Sequence, residues 1–194
     1  MSDARVEPRI EGARVALTPF DESHLADPAY RRWLRDPAVV APLNLPRYLA
    51  GEVSDAEIEA YARRLMADDA VWFFALLLRD EREFVGTVKA GPIDRYAGRA
   101  DLGVMIGRTN LWGRGLASDA LGALARRLIE GEGLRRLTAG AMATNPSMIR
   151  VFEKLGFQRE GVFRQHDRQG DVYIDHIHLG CLADELRTPN GADA

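Results

Sequence analysis

The sequence predicts a single domain of the α/β class, a mixed sheet with helices packed on it. Three observations carry that expectation. Segments with strand patterning alternate with segments of helical apolar spacing along most of the chain. The helical segments are bounded by capping residues, prolines and glycines in the places helices start and stop. With 194 residues and 46% apolar side chains, the chain is long enough for one proper core, and no repeat or linker divides it.

In order, residues 6–18 alternate loosely and predict a first strand. Residues 21–34 predict a helix with Leu25, Tyr30, Trp33 and Leu34 on its buried side. Pro37, Pro42 and Pro46 punctuate an irregular stretch through Ala50. Ser54 and Glu57 predict a capping box, and the helix behind it carries Ile58, Tyr61, Ala62 and Leu65 at helical spacing. Residues 72–78 predict a buried strand, 80–83 a charged turn and 84–93 the partner strand. Residues 99–106 predict the next strand, which leads into a loop holding Gly113 and Gly115. The loop opens into an amphipathic helix with Leu116, Leu121, Leu124, Ala125 and Leu128 on one stripe, ended by Gly131 and Gly133. Residues 136–142 predict another strand. Asn145 then reads as an N-cap with Pro146 at the first helical position, and Gly156 ends that helix. Residues 158–164 and 172–181 predict two antiparallel strands closing the sheet, and 188–194 a frayed tail.

Composition narrows the function. The 26 basic and 29 acidic residues leave a net charge of −3, which does not suggest a nucleic-acid surface. The pairs Arg63–Arg64, Arg126–Arg127 and Arg135–Arg136 read as solvated faces. Cys181 is the only cysteine and cannot form an internal disulfide, in keeping with a reducing compartment. No apolar run reaches the length of a membrane span, and the first residues are too polar for a secretory signal. A cytoplasmic protein is expected, monomeric or homodimeric, with neither membrane nor nucleic acid as partner.

The strand–glycine loop–helix segment is the densest functional signal. Gly113 and Gly115 let main chain approach a ligand, and the helix start behind them adds unpaired amides and the positive end of a dipole. That combination favours a phosphate or pyrophosphate. A tight strand-to-helix turn with no ligand explains the same glycines, as a cap alone explains Asn145. The segment 166–178 is rich in polar groups, with His176 and His178 alternating onto one strand face. Its histidines are too loosely spaced to predict a metal site. A ligand-binding turn with Arg164, Asp171 and Tyr173 is one reading, and a solvated hairpin is the other. Trp33, Asn44, Arg47 and Tyr48 are candidates for a second ligand-binding wall.

In ADLGVMIG (100–107), NLWGRGLASDA (110–120), NPSMIRVFEKLGF (145–157) and EGVFR (160–164), the sequence resembles the GNAT superfamily of acyl-CoA-dependent N-acetyltransferases. Within it, the sequence is similar to the ribosomal-protein N-terminal acetyltransferase (RimJ/RimL-like) branch. The resemblance implies a strongly bent mixed sheet of six to seven strands flanked by about four helices. It implies acetyl-CoA as co-substrate, no metal, and a primary amine acceptor that attacks directly in a ternary complex. Main-chain groups of Val104, Met105 and Ile106 are implied partners of the pantetheine arm. Gly113, Arg114, Gly115, Leu116, Ala117 and Ser118 are implied partners of the pyrophosphate. Asn145 is implied to reach the pantetheine and Lys154 a phosphate.

Asp101 stands where the histone-acetylating members carry their basic glutamate, and is the implied base; pairing with Arg95 or Arg99 is its structural alternative. The family's acid is missing. The usual tyrosine is Phe152 here, and the serine of the RimL-like branch is replaced by Met148, with Ser147 one place earlier. Ser147 or a water is the implied substitute. The implied acceptor is a protein N-terminal α-amine. The alternatives are the amino group of a nucleotide-linked sugar or another small amine, and a non-catalytic acyl-CoA-binding module.

Overall fold

The computed structural model describes residues 9–187, so residues 6–8 of the expected first strand and the expected tail lie outside it. The rest of the first strand is a short antiparallel hairpin, β1 (Ile10–Glu11) with β2 (Val15–Pro19). The helix expected over 21–34 is two helices, α1 (Glu22–Ala26) and α2 (Pro28–Trp33). Pro28 has no N–H with which to continue α1, and the Asp27 side chain starts α2 by accepting from the Ala29 N–H at 2.8 Å. The stretch expected to be irregular holds α3 (Pro37–Val40) and α4 (Pro46–Leu49). Each opens on a proline at the one helical position where a missing N–H costs nothing.

The remainder follows the sequence pattern closely. Helix α5 (Asp55–Ala67) begins at Ser54, whose hydroxyl accepts from the Glu57 N–H while Glu57 accepts from the Ser54 N–H at 2.9 Å. Then come β3 (Trp72–Leu78), β4 (Phe84–Ala90), β5 (Arg99–Ile106), α6 (Leu116–Arg126), β6 (Arg136–Met142) and α7 (Pro146–Lys154). The chain closes with β7 (Gln158–Gln169) and β8 (Val172–Leu182). Strand β7 runs five residues further than expected.

The eight strands form one mixed sheet in the order β1-β2-β3-β4-β5-β6-β8-β7. The expectation was six or seven strands and about four helices. The additional strand and helices among the described residues come from the split hairpin and the proline-started turns. Helices α6 and α7 cover one face, where Leu121, Leu124, Leu128 and Phe152 meet Trp72, Phe74 and Leu76. Helices α1 to α5 cover the other, where Leu25, Tyr30, Trp33 and Ile58 meet Phe73 and Ala75. Strand β3 thus feeds alternate residues to two cores, as a strand buried on both faces must.

One irregularity positions the site. Strand β5 pairs antiparallel with β4 over Leu102 to Ile106, but parallel with β6 only over Arg99 to Asp101. Past Asp101 the two parallel strands diverge and leave a gap in the sheet.

Candidate active site

The gap has an ordered edge. Gly91 donates its N–H to Asp101 O (2.8 Å) and Gly107 to Val85 O (2.9 Å), which fixes the phase of the β4–β5 ladder. Residues 101, 103, 105 and 107 therefore spend their main chain on β4, and 102, 104 and 106 turn theirs toward the gap. Val104 and Ile106 sit where the sequence reading needs them. Met105 does not offer its main chain to the gap; its side chain, buried among the helices α1 to α5, lines the cleft instead. The Ile106 carbonyl accepts from the Trp112 indole Nε1 at 2.9 Å, which leaves its N–H as the donor on that side.

Beyond β5 the loop closes onto α6. Gly113 and Gly115 both have φ of +76°, a left-handed conformation that side chains resist, and Gly115 is the N-cap of α6. No side chain of the cap accepts a helix N–H, so the first-turn amides of Leu116, Ala117 and Ser118 keep their donor capacity for a ligand. The loop is anchored from behind. The Asp119 carboxylate accepts three main-chain N–H groups, from Ala13 (2.9 Å), Arg14 (2.7 Å) and Val15 (3.0 Å). Arg14 donates onward to the Arg114 carbonyl at 2.9 Å. The sequence gives little hint of this clamp, because its partners lie more than a hundred residues apart.

Through the gap runs a cleft of about 400 Å³. Val104, Asn145, Met148 and Phe152 line it toward α7, and Tyr30, Asn44, Tyr61, Lys89, His176 and His178 toward the helices of the opposite face. Asp101 lies at the fork. Thr138 Oγ1, on the last paired residue of β6, donates to its Oδ1 at 2.8 Å. Burial pushes the Asp101 carboxyl above the usual range, although that hydrogen bond, Lys89 and the two histidines pull it down. It is therefore a stronger proton acceptor than a solvated aspartate. The pairing with Arg95 or Arg99 does not occur: Arg95 joins Glu132 (3.1 Å) and Arg99 joins Asp94 (3.5 Å).

Other sequence candidates fall elsewhere. Asn145 lines the cleft, but its side chain caps α7, accepting from the Met148 N–H at 3.1 Å and donating to Pro42 O at 3.4 Å. Ser147 is exposed on the first turn of α7, outside the cleft lining, and Lys154 is exposed on the last turn. Phe152 is 1% exposed and packs on Phe157, with no proton to offer. Trp33 is core: it is 6% exposed, meets Phe84, and occupies the space a side chain on Gly107 would need. Arg164 and the 60%-exposed Tyr173 lie out on the β7–β8 hairpin, away from the cleft. Asn44 does reach the cleft, in a left-handed conformation (φ +53°). Lys89, Thr138, Asp167 and His176 were missed as site residues, since single polar residues in strands carry no motif. Among the described residues no three His, Cys, Asp or Glu side chains gather into a metal-binding group, and no helix is long and apolar enough to cross a membrane.

A forked mixed sheet with a glycine loop at the fork is the layout of an acyltransferase of the GNAT kind, and comparison with known proteins gives the family. The profile described as acetyltransferase (GNAT) domain matches residues 14–158, and the chain belongs to that family. It is 28% identical over 168 residues to the uncharacterised N-acetyltransferase p20 of Bacillus licheniformis, covering 82% of this chain and 88% of that protein. It is 30% identical over 136 residues to a Bacillus subtilis (strain 168) protein called "Probable N-acetyltransferase YjcK", covering 70% and 74%. Among solved structures, the spermidine N-acetyltransferase of Vibrio cholerae, in complex with CoA and spermine, superposes with a TM-score of 0.79 at 16% identity, covering 89% of this chain and 98% of that one. A GNAT-family acetyltransferase of Bacillus anthracis gives 0.76 at 20% identity, covering 91% and 99%. At those identities the two structures establish the shared fold.

Proposed function

We propose that this protein is a cytoplasmic, acetyl-CoA-dependent N-acetyltransferase of the RimJ/RimL-like branch, acting on a primary amine by direct attack in a ternary complex. The observation that carries the reading is the fork between β5 and β6, with the glycine loop at one end and a half-buried carboxylate at its vertex. The residues present suit the coenzyme. The α6 amides and the left-handed glycines fit a pyrophosphate, and Val104 and Ile106 offer a strand edge to the amides of a pantetheine arm. Asp101 accepts a proton from the amine, and the Ile106 N–H supports negative charge on the thioester oxygen. The leaving thiolate needs no dedicated acid, because a thiol pKa of roughly 8.5 makes it a tolerable leaving group.

The acceptor end favours a primary amine on an uncharged body, such as a protein N-terminus or a small monoamine. Aromatic and aliphatic side chains (Tyr30, Leu34, Tyr61, Leu65, Phe73) form its walls. Lys89 is the one Lys or Arg among the lining residues, too little to hold a nucleotide diphosphate and unfavourable to a polycation. The test is acetyl transfer from acetyl-CoA to a tripeptide with a free N-terminus, 2-phenylethylamine, spermidine and a nucleotide-linked amino sugar. Turnover of the first two above the others is expected. CoA binding with no product from any of the four contradicts the catalytic reading and favours a non-catalytic acyl-CoA-binding module.

A further inference from the structure

We infer that His176, held by Asp167, is a second proton acceptor at the amine end of the cleft, and that its Nε2 takes the proton leaving the nitrogen as the amide forms. The inference rests on the acetyl-transfer reading above.

Asp167 is 3% exposed and, with Thr87, is one of the two buried polar or charged side chains among the described residues. Both of its oxygens are engaged: Asn44 Nδ2 donates to Oδ1 at 2.6 Å, and His176 Nδ1 lies 2.7 Å from Oδ2. A carboxylate only accepts, so in the neutral ring the hydrogen sits on Nδ1 and Nε2 keeps its lone pair. Nε2 points over Gly140, where a Cβ would lie 2.1 Å from it; only a residue without a side chain leaves the imidazole that position. Thr138 and Gly140 are alternate residues of β6 and open on the same face. Asp101, bonded to Thr138, and His176, lying over Gly140, therefore face one cleft.

The strand is bent to make this arrangement. Phe163 pairs with His176 and Asp167 with Ile174, so β7 takes four steps where β8 takes two. Gln165 sits in the bulge at φ +53°, its N–H fixed by Asp175 Oδ1 at 2.8 Å. Bulges of this kind re-aim side chains. Without it, Gln165 would oppose Ile174, and Asp167 would be carried past His176. A hydrogen-bonded carboxylate buried in a sheet adds little stability over an apolar residue of its size, so structure alone does not account for it.

The other titratable groups around the imidazole are His166 on β7, His178 on β8, Asp101 on β5 and Lys89 on β4, with Tyr30 and Tyr61 above. Asp101 holds the incoming ammonium and passes its first proton to solvent. The neutral nitrogen then bonds the acetyl carbon while its proton moves to Nε2. The carbon–sulfur bond breaks with its electron pair on sulfur, the imidazolium releases its proton to water, and the thiolate collects one from water.

The test uses the full chain with the tripeptide acceptor. His176→Gln removes the basic ring nitrogen and accepts no proton. Its kcat/KM is expected to fall about 100-fold or more at pH 7, the acid limb of the pH profile is expected to flatten, and CoA affinity is expected to be unchanged. Asp167→Asn is expected to shift that limb, since it frees the imidazole to change tautomer. Nitrogen-15 spectra of the wild-type ring, read without turnover at the pH of maximal activity, are expected to show hydrogen on Nδ1 and none on Nε2. Wild-type turnover with His176→Gln within twofold and an unaltered profile overturns the inference alone, as does hydrogen on Nε2. A wild type that acetylates no amine in the panel overturns the acetyl-transfer reading itself.

Discussion

Asp101 shows how a single residue trades stability for chemistry. Its carboxyl titrates above the unfolded value because burial disfavours the charge. A raised pKa means that its contribution is most favourable below the unfolded value near 3.8 and is lost as pH rises through the folded value. Asp101→Asn keeps an acceptor for Thr138 and removes the half-buried charge. It is expected to raise the melting temperature at pH 7, with the gain vanishing below pH 3.8, and to lower turnover most at low pH, where free amine is scarce. Thermal melts and rate profiles across pH check both; an unchanged profile removes Asp101 from the proton path. Asp101 was picked out through the family resemblance, which places a carboxylate at that point of a recognisable strand. Asp167 was not, because its meaning depends on Asn44, 123 residues away, and on a bulge that no residue pattern announces.

At the scale of elements, α6 is held by what lies behind it. Asp119→Ala removes the shared acceptor of three main-chain N–H groups and is expected to cost about 2–4 kcal/mol. It should also weaken CoA binding several-fold by releasing Arg14 from the loop carbonyl. Calorimetric titration with CoA and a denaturant melt measure the two effects. Helix α5 gives a pH-dependent counterpart. The Ser54 N–H, Arg47 and the Ser54 hydroxyl hold the Glu57 carboxyl down to about 2, so its capping role is present above the unfolded value of 4.5 and is lost as pH falls through about 2. Protection factors of the amides at the start of α5 are expected to fall across that window. Ser54→Ala should do the same at neutral pH, at a cost of about 1 kcal/mol. That capping box was legible because all its parts are local. The prolines at 37 and 46 were read as interruptions, and Pro28 was passed over inside one expected helix, because proline ends one helix and begins the next with the same ring, and sequence alone does not say which.

For the whole molecule, the decisive feature is a sheet that changes partner halfway along one strand. The strands on either side of the fork, β5 and β6, were read with their observed bounds, since both are apolar runs closed by turn residues. Their divergence after Asp101 is a relation between strands, and it entered only through the family resemblance. The two-sided core flanks it: α6 and α7 close one face, α1 to α5 the other, and the cleft passes between. Gly115→Glu tests the fork from the loop end. Its carboxylate would stand against the pyrophosphate on a residue at φ +76°, so CoA binding is expected to be lost while the rest of the sheet stays folded.

Amide hydrogen exchange, compared with and without acetyl-CoA, addresses the coenzyme's place most directly. A coenzyme lying in the fork gives strong protection of the Val104 and Ile106 amides and of the first turn of α6, with little change along β1 to β3. Protection confined to another surface, or none at a saturating concentration, would contradict it.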